Sequence, residues 1–154
     1  MRLTDYDGGD RFQSDYHQVW ANGQVVRLTS GGKHRGSFAI SPDGQAMAFS
    51  GERDGKGGIY LLPLNGGEAR LLRELPVDAD NLRWTKGGIF FTAMVFPECL
   101  GDLDCTKKKA DEKKKGTSAM VFDTLLHRPW NIWRNGTYSN LFLMDLEGKA
   151  VGMN

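Results

Sequence analysis

The chain has 154 residues, 20 Lys plus Arg against 19 Asp plus Glu, and a formal net charge of +1, so no strong field recruits nucleic acid or anionic lipid. A hydrophobic fraction of 40% excludes disorder throughout, and no stretch approaches the roughly 20 apolar residues of a membrane-spanning helix. The longest uncharged apolar-rich run, Gly87 to Pro97, ends at Glu98. Met1 and Arg2 lead directly into Asp5 and Asp7, so no secretory leader is expected. The 20 glycines are nearly twice the average share of roughly 7% and imply many tight turns. Two cysteines, Cys99 and Cys105, are too few for a disulfide framework or a structural zinc site and form at most one local clip.

In chain order, residues Met1 to Tyr16 give no clear pattern. Beyond them lie short runs of β-branched and aromatic residues, each followed by a glycine-containing turn, with hardly any helical spacing. Val19 to Thr29, Ile59 to Leu72 and Leu141 to Val151 align on one another as strand, glycine turn and strand. Asn22-Gly23 and Asn65-Gly66 are expected to form type I′ hairpin turns, which need positive φ at both central residues. Between the first two hairpins, Phe38 to Ile40 enters a Ser41-Pro42-Asp43-Gly44 turn and Ala46 to Ser50 leaves it as an alternating strand. A reduced version of this turn stands at Thr85-Lys86-Gly87-Gly88.

Spacing decides the architecture. Leu28 to Leu71, Gly23 to Gly66 and Gly44 to Gly87 are each 43 residues apart, a propeller-blade period. Gly148 follows Gly66 by 82 residues, which reads as a blade carrying an insertion. The expected fold is therefore all-β, a partial β-propeller of about three blades of four-stranded antiparallel sheet, formed by one domain over residues 1–154. The insertion, from about Phe96 to His127, contains a lysine-rich run from Lys107 to Lys115. It is expected to be a short solvated helix capped by Thr106 and stopped by Gly116. Ala119 to Leu126 fits either helix or strand by periodicity.

These residues carry a resemblance. Ser41-Pro42-Asp43-Gly44 with Ala48-Phe49, then Ile59 to Leu64 and Gly66 to Arg70, resemble one blade of the amino-terminal propeller of prolyl oligopeptidase family serine peptidases. Phe96-Pro97-Glu98-Cys99, Asp104-Cys105-Thr106, the lysine run, Val121-Phe122-Asp123, His127 to Trp133, Asn135-Gly136 and Ser139 to Phe142 resemble the dipeptidyl-peptidase and acylaminoacyl-peptidase branch in order and spacing. The chain departs from that pattern at Thr85-Lys86-Gly87-Gly88, at Pro129 and before Tyr16. The resemblance implies a propeller that caps an α/β-hydrolase domain, where Ser, Asp and His cleave peptide bonds. It implies no cofactor and no metal, and as partners the rest of the propeller, the hydrolase domain and short peptides. Tol-type binding propellers use the same Ser-Pro-Asp-Gly turn, so a protein-binding module without a peptidase domain is the alternative. Paired cysteines in this slot suggest, by resemblance, an oxidising compartment and a periplasmic or secreted location. Two free thiols in a cytoplasmic protein remain open.

A nucleophile elbow needs Gly-x-Ser-x-Gly, and Gly116-Thr117-Ser118-Ala119-Met120 lacks the second glycine. Ser118 is read as polar surface, and the segment by itself is expected to be inactive. His17, His34 and His127 fit no metal spacing and have no recognisable nucleophile partner. His127, Arg128, Trp130 and Trp133 form the densest aromatic-basic cluster, suited either to packing between blades or to holding a peptide carboxylate in a substrate channel. Asp43, Asp54, Asp102 and Asp104 do not make a spaced calcium loop. Three blades with open strand edges also invite self-association.

Overall fold

The computed structural model describes residues 2–6, 12–30, 33–115 and 136–153, with side chains from residue 15 onward except 33–35 and 113–115. It contains β1 (Arg2–Tyr6), β2 (Phe12–Val19), β3 (Val25–Arg27), β4 (Lys33–Ile40), β5 (Ala46–Arg53), β6 (Lys56–Pro63), β7 (Arg70–Glu74), β8 (Asp80–Thr85) and β9 (Gly88–Val95). A 3-10 turn (Pro97–Cys99), helix α1 (Leu103–Lys115), β10 (Tyr138–Met144) and β11 (Ala150–Gly152) complete it. The strands form three antiparallel sheets in the orders β1-β2-β3, β4-β5-β6-β7 and β8-β9-β10-β11, here sheets 1, 2 and 3. They stack in sequence as a partial β-propeller.

Alternation along each strand divides the side chains between two interfaces. In sheet 2, Met47 and Phe49 of β5 and Tyr60 and Leu62 of β6 point back to sheet 1 and bury with Tyr16. Ala39, Ala48, Ile59 and Leu61 point forward and meet Leu82, Ile89, Phe91, Phe142 and Met144 of sheet 3. Two cross-strand ring pairs mark the repeat: Phe49 stacks on Tyr60 at 5.6 Å, and Phe91 stacks on Phe142 at 5.2 Å. Phe49 and Phe91 are each 0% exposed, where full burial of one such ring contributes about 2 to 3 kcal/mol.

The ring pairs refine the period read from glycines. Phe49 to Phe91 is 42 residues, because Ile40 pairs with Met47 across a long turn whereas Trp84 pairs with Ile89 across a short one. The Ser-Pro-Asp-Gly turn forms as expected. Gly44 N donates to Ser41 O at 2.9 Å, and Ser41 Oγ accepts from Ala46 N at 2.9 Å while donating to Asp43. In its reduced counterpart, Thr85 Oγ1 accepts from Gly87 N at 3.2 Å in place of the missing Asp.

All three aligned hairpins form, but Asn22 and Asn65 do not take positive φ. Gly23 N bonds Trp20 O at 2.9 Å and Trp20 N bonds Gln24 O at 2.9 Å, with Gly23 at φ 84°. That is a type I turn closed by a left-handed glycine, and it leaves Asn22 free to accept from Gln24 N. The type I′ geometry occurs instead at Asp54-Gly55, with φ 51° and 76°, between the paired Arg53 and Lys56. The unpatterned opening segment supplies β1 and β2, whose polar residues hide their strand character from a hydrophobicity reading.

The cap of the inserted helix also changes. The cap of α1 is Asp102, whose Oδ1 accepts from Asp104 N at 2.9 Å and Cys105 N at 3.0 Å. Thr106 lies one turn inside the helix and is 2% exposed, since Leu103, three residues earlier on the same face, packs on the core. Among the described residues, β10 pairs with β9 from Tyr138, opposite Val95. Gly116 and the segment Ala119 to Leu126 lie outside the described residues.

Candidate functional site

The turns are sorted to opposite ends of sheets 2 and 3. Ser41–Gln45 and Leu64–Ala69 lie together at one end, joined by Leu64 N to Gln45 O at 2.8 Å. The Asp54-Gly55 turn, the link from β7 to β8 and α1 gather at the other. There Leu75 N bonds Gly57 O at 2.9 Å, and a cleft of about 560 Å³ opens.

Its walls come from three separate elements. The β5–β6 hairpin presents Glu52 and the bare backbone of Gly55, Gly57 and Gly58; β7 and its link present Glu74 and Asp78; α1 presents Asp104 and Lys107. Four carboxylates to one ammonium give the cleft an acidic lining. Gly58 shapes this wall, because a Cβ there would sit 2.1 Å from Arg73 O. Close approach of β6 to β7 at their bulge thus requires glycine.

Helix α1 is fastened at its first turn. Cys99 and Cys105 form a disulfide with Cα atoms 5.6 Å apart, linking the 3-10 turn to the helix. Lys109 Nζ lies 3.0 Å from Glu98 Oε1 and 5.9 Å from the centre of the Phe96 ring. As an exposed pair, this contact contributes under about 1 kcal/mol. The solvated lysine helix is present as expected.

The remaining residues singled out from sequence divide clearly. His127, Arg128, Trp130 and Trp133, with Ser118, lie outside the described residues, and the side chain of His34 does too. His17 Nδ1 lies 3.4 Å from Asp15 O. Asp43 accepts from the Ser41 hydroxyl and from Gln45 N, which lower its carboxyl below the ordinary value. Asp54 occupies the hairpin turn, Asp102 caps α1, and only Asp104 reaches the cleft. Burial raises the Tyr60 phenol above its usual range, while its hydroxyl donates to Lys56 O at 2.6 Å. No group of three His, Cys, Asp or Glu suited to a metal occurs among the described residues. No helix among them is long and apolar enough to cross a membrane.

The sequence reading did not find the cleft. Its carboxylates lie up to 52 positions apart, and the one local signal that could have pointed to this end of the sheets is the Asp54-Gly55 dipeptide, which was not read as a turn.

No family model matches the chain. It is 34% identical over 67 residues to an uncharacterised peptidase of Bacillus subtilis (strain 168), YuxL, a match covering 43% of this chain and 10% of that protein. Peptidase-related sequence therefore runs through part of the chain. Among solved structures, a variant of the AtxE2 isopeptidase with bound astexin3-dC4 superposes with a TM-score of 0.54 at 14% identity, over 93% of this chain and 24% of that one. That likeness concerns the fold. TolB from Acinetobacter baumannii gives a TM-score of 0.47 at 17% identity, over 98% of this chain and 39% of that one. The chain spans about a tenth of the curated relative and about a quarter of the isopeptidase chain.

Proposed function

We propose that this chain is a non-catalytic portion of the propeller of a prolyl oligopeptidase family serine peptidase, from the dipeptidyl- and acylaminoacyl-peptidase-like branch. It gates the passage of short peptides to a Ser-His-Asp site on an α/β-hydrolase domain of the parent protein. The observation that carries this reading is the 34% identity with a bacterial peptidase in a chain folded as stacked propeller sheets. The disulfide-fastened insertion between β9 and β10 agrees with the branch it resembles.

The forward face of sheet 3 supports the partner expected for such a sector. Phe90, Leu141 and Leu143 take the positions that Ala48, Ile59 and Leu61 bury in sheet 2, and Val151 pairs beside Leu143 on the same face. Leu141 is 43% and Val151 55% exposed. A further blade of the parent covers this face and continues the ring. A closed ring admits an extended peptide along its axis and turns away a folded protein. The Cys99–Cys105 disulfide favours a periplasmic or secreted setting.

The test is size selectivity in the parent protein. Hydrolysis of short peptides should greatly exceed that of a folded protein substrate, and removal of the propeller should raise protein cleavage relative to peptide cleavage. A parent that hydrolyses neither substrate overturns the peptidase reading in favour of a Tol-type binding module. Equal selectivity with and without the propeller overturns the gate.

A further inference from the structure

Two exposed hairpin turns carry the same Asn-Gly dipeptide, and the fold holds them differently. In the first, β2 pairs with β3 up to Val19 opposite Val25. Trp20 N then bonds Gln24 O at 2.9 Å, Gly23 N bonds Trp20 O at 2.9 Å, and Asn22 Oδ1 accepts from Gln24 N at 3.0 Å. The side-chain carbonyl of Asn22 and the amide that follows it in sequence are thus both engaged.

In the second turn, the pairing of β6 with β7 stops at Leu61 opposite Arg70. Asn65 and Gly66 are exposed, and neither the Asn65 side chain nor the Gly66 amide has a hydrogen-bond partner among the described residues. The space around them is a separate observation. A Cβ on Gly66 would meet nothing within 4 Å, and Gly66 and Gly67 take φ of 111° and 122°. Two successive glycines without bonds across the turn leave this backbone free to rotate, and its open side admits water.

We infer that Asn65 is a site of spontaneous covalent modification, deamidation through a cyclic imide, and that the first turn protects Asn22 from the same reaction. The Gly66 nitrogen gives its proton to hydroxide and bonds to Asn65 Cγ. The bond from Cγ to Nδ2 breaks, and that nitrogen takes up a proton and leaves as ammonia. Water then opens the imide at one of its two carbonyls: cleavage at Cγ leaves an aspartyl residue, and cleavage at the Asn65 main-chain carbonyl leaves an isoaspartyl residue. Glycine suits the attack because no side chain shields its nitrogen. At Asn22 the same step must first break the Gly23 N to Trp20 O bond and free Oδ1 from Gln24 N, so it waits on local opening of the turn. The product adds a carboxylate to the turn that holds Glu68, at the end of the sheets opposite the acidic cleft. This inference stands whether or not the parent is a peptidase.

The test is the intact chain held at mildly alkaline pH and sampled over time by peptide mapping. Asn135, which glycine also follows, lies outside the described residues and is read separately in the map. Isoaspartyl product, labelled by an isoaspartyl methyltransferase, should accumulate at least about tenfold faster at Asn65 than at Asn22 in the folded protein. In the urea-denatured chain the two sites should react at similar rates. Asn65→Gln should remove the fast signal. Equal rates at the two sites in the folded protein overturn the inference, and so does a rate ratio as large in urea as in the fold. A fast signal that survives Asn65→Gln overturns it too.

Discussion

Ser37 Oγ accepts a hydrogen bond from the Leu82 backbone amide at 2.7 Å, across 45 positions of sequence. The Ser37 carbonyl also accepts from Tyr16 Oη at 3.4 Å and from Ser50 Oγ at 3.5 Å. One residue of the inner strand of sheet 2 thereby ties all three sheets together. Ser37→Ala leaves the Leu82 amide without this acceptor and should lower stability by about 1 to 3 kcal/mol. Urea denaturation should show a lower midpoint at unchanged slope, and an unchanged midpoint would remove Ser37 from this role.

Gly58 and its neighbour offer a paired comparison. A Cβ at Gly58 would collide with Arg73 O, whereas one at Gly57 meets Leu75 O at an ordinary 3.9 Å. Gly58→Ala should cost about 1 to 3 kcal/mol through forced backbone displacement, and Gly57→Ala should stay within about 0.5 kcal/mol. Thermal unfolding of the two variants checks this, and equal effects would contradict the close approach of β6 and β7.

The disulfide and Thr106 act at the same end of α1. Replacing both cysteines with serine should cost roughly 2 kcal/mol, the chain-entropy value for so small a loop. Thr106 Oγ1 is buried and finds no hydrogen-bond partner among the described residues. Thr106→Val removes that polar burden at nearly constant shape and should leave stability unchanged or raise it. Alkylation of the denatured, unreduced protein should label neither cysteine. A loss of stability above about 1 kcal/mol in Thr106→Val would show that the hydroxyl is satisfied.

How much of this was legible in the sequence depends on the range of the forces involved. The blade period, the hairpins, the Ser41-Pro42-Asp43-Gly44 turn and the lysine helix are local, and their residues announce them. Asn22 and Asn65 misled as to turn type, because neither takes the positive φ of a type I′ turn: Gly23 alone closes the first hairpin, and Gly66 and Gly67 both take positive φ in the second. The Thr106 cap failed because Asp102, four residues earlier, was an equally good capping residue with two amides in reach. The cleft depends on three elements meeting in space, and no local pattern of Glu52, Glu74, Asp78 or Asp104 reveals it.

The Asp43 carboxyl carries a pH signature. The Ser41 hydroxyl first, and the Gln45 amide second, lower its value in the folded protein from an ordinary 3.8. A carboxylate depressed on folding stabilises above its unfolded value, and the contribution fades as pH falls through the folded one. The thermal-stability difference between the parent sequence and Asp43→Ala should therefore be constant from about pH 7 to 5 and shrink below about pH 4. A difference that stays constant at lower pH would show that the ionised form plays no part in the turn.

The most direct test of the central claim joins mass to chemistry. The native protein containing this sequence should be captured from its source, weighed intact, and exposed to a fluorophosphonate probe that marks activated serines. The account predicts a labelled chain several times longer than 154 residues, with the label outside this segment. A long chain that takes no label, or a label on a serine within these residues, would contradict it.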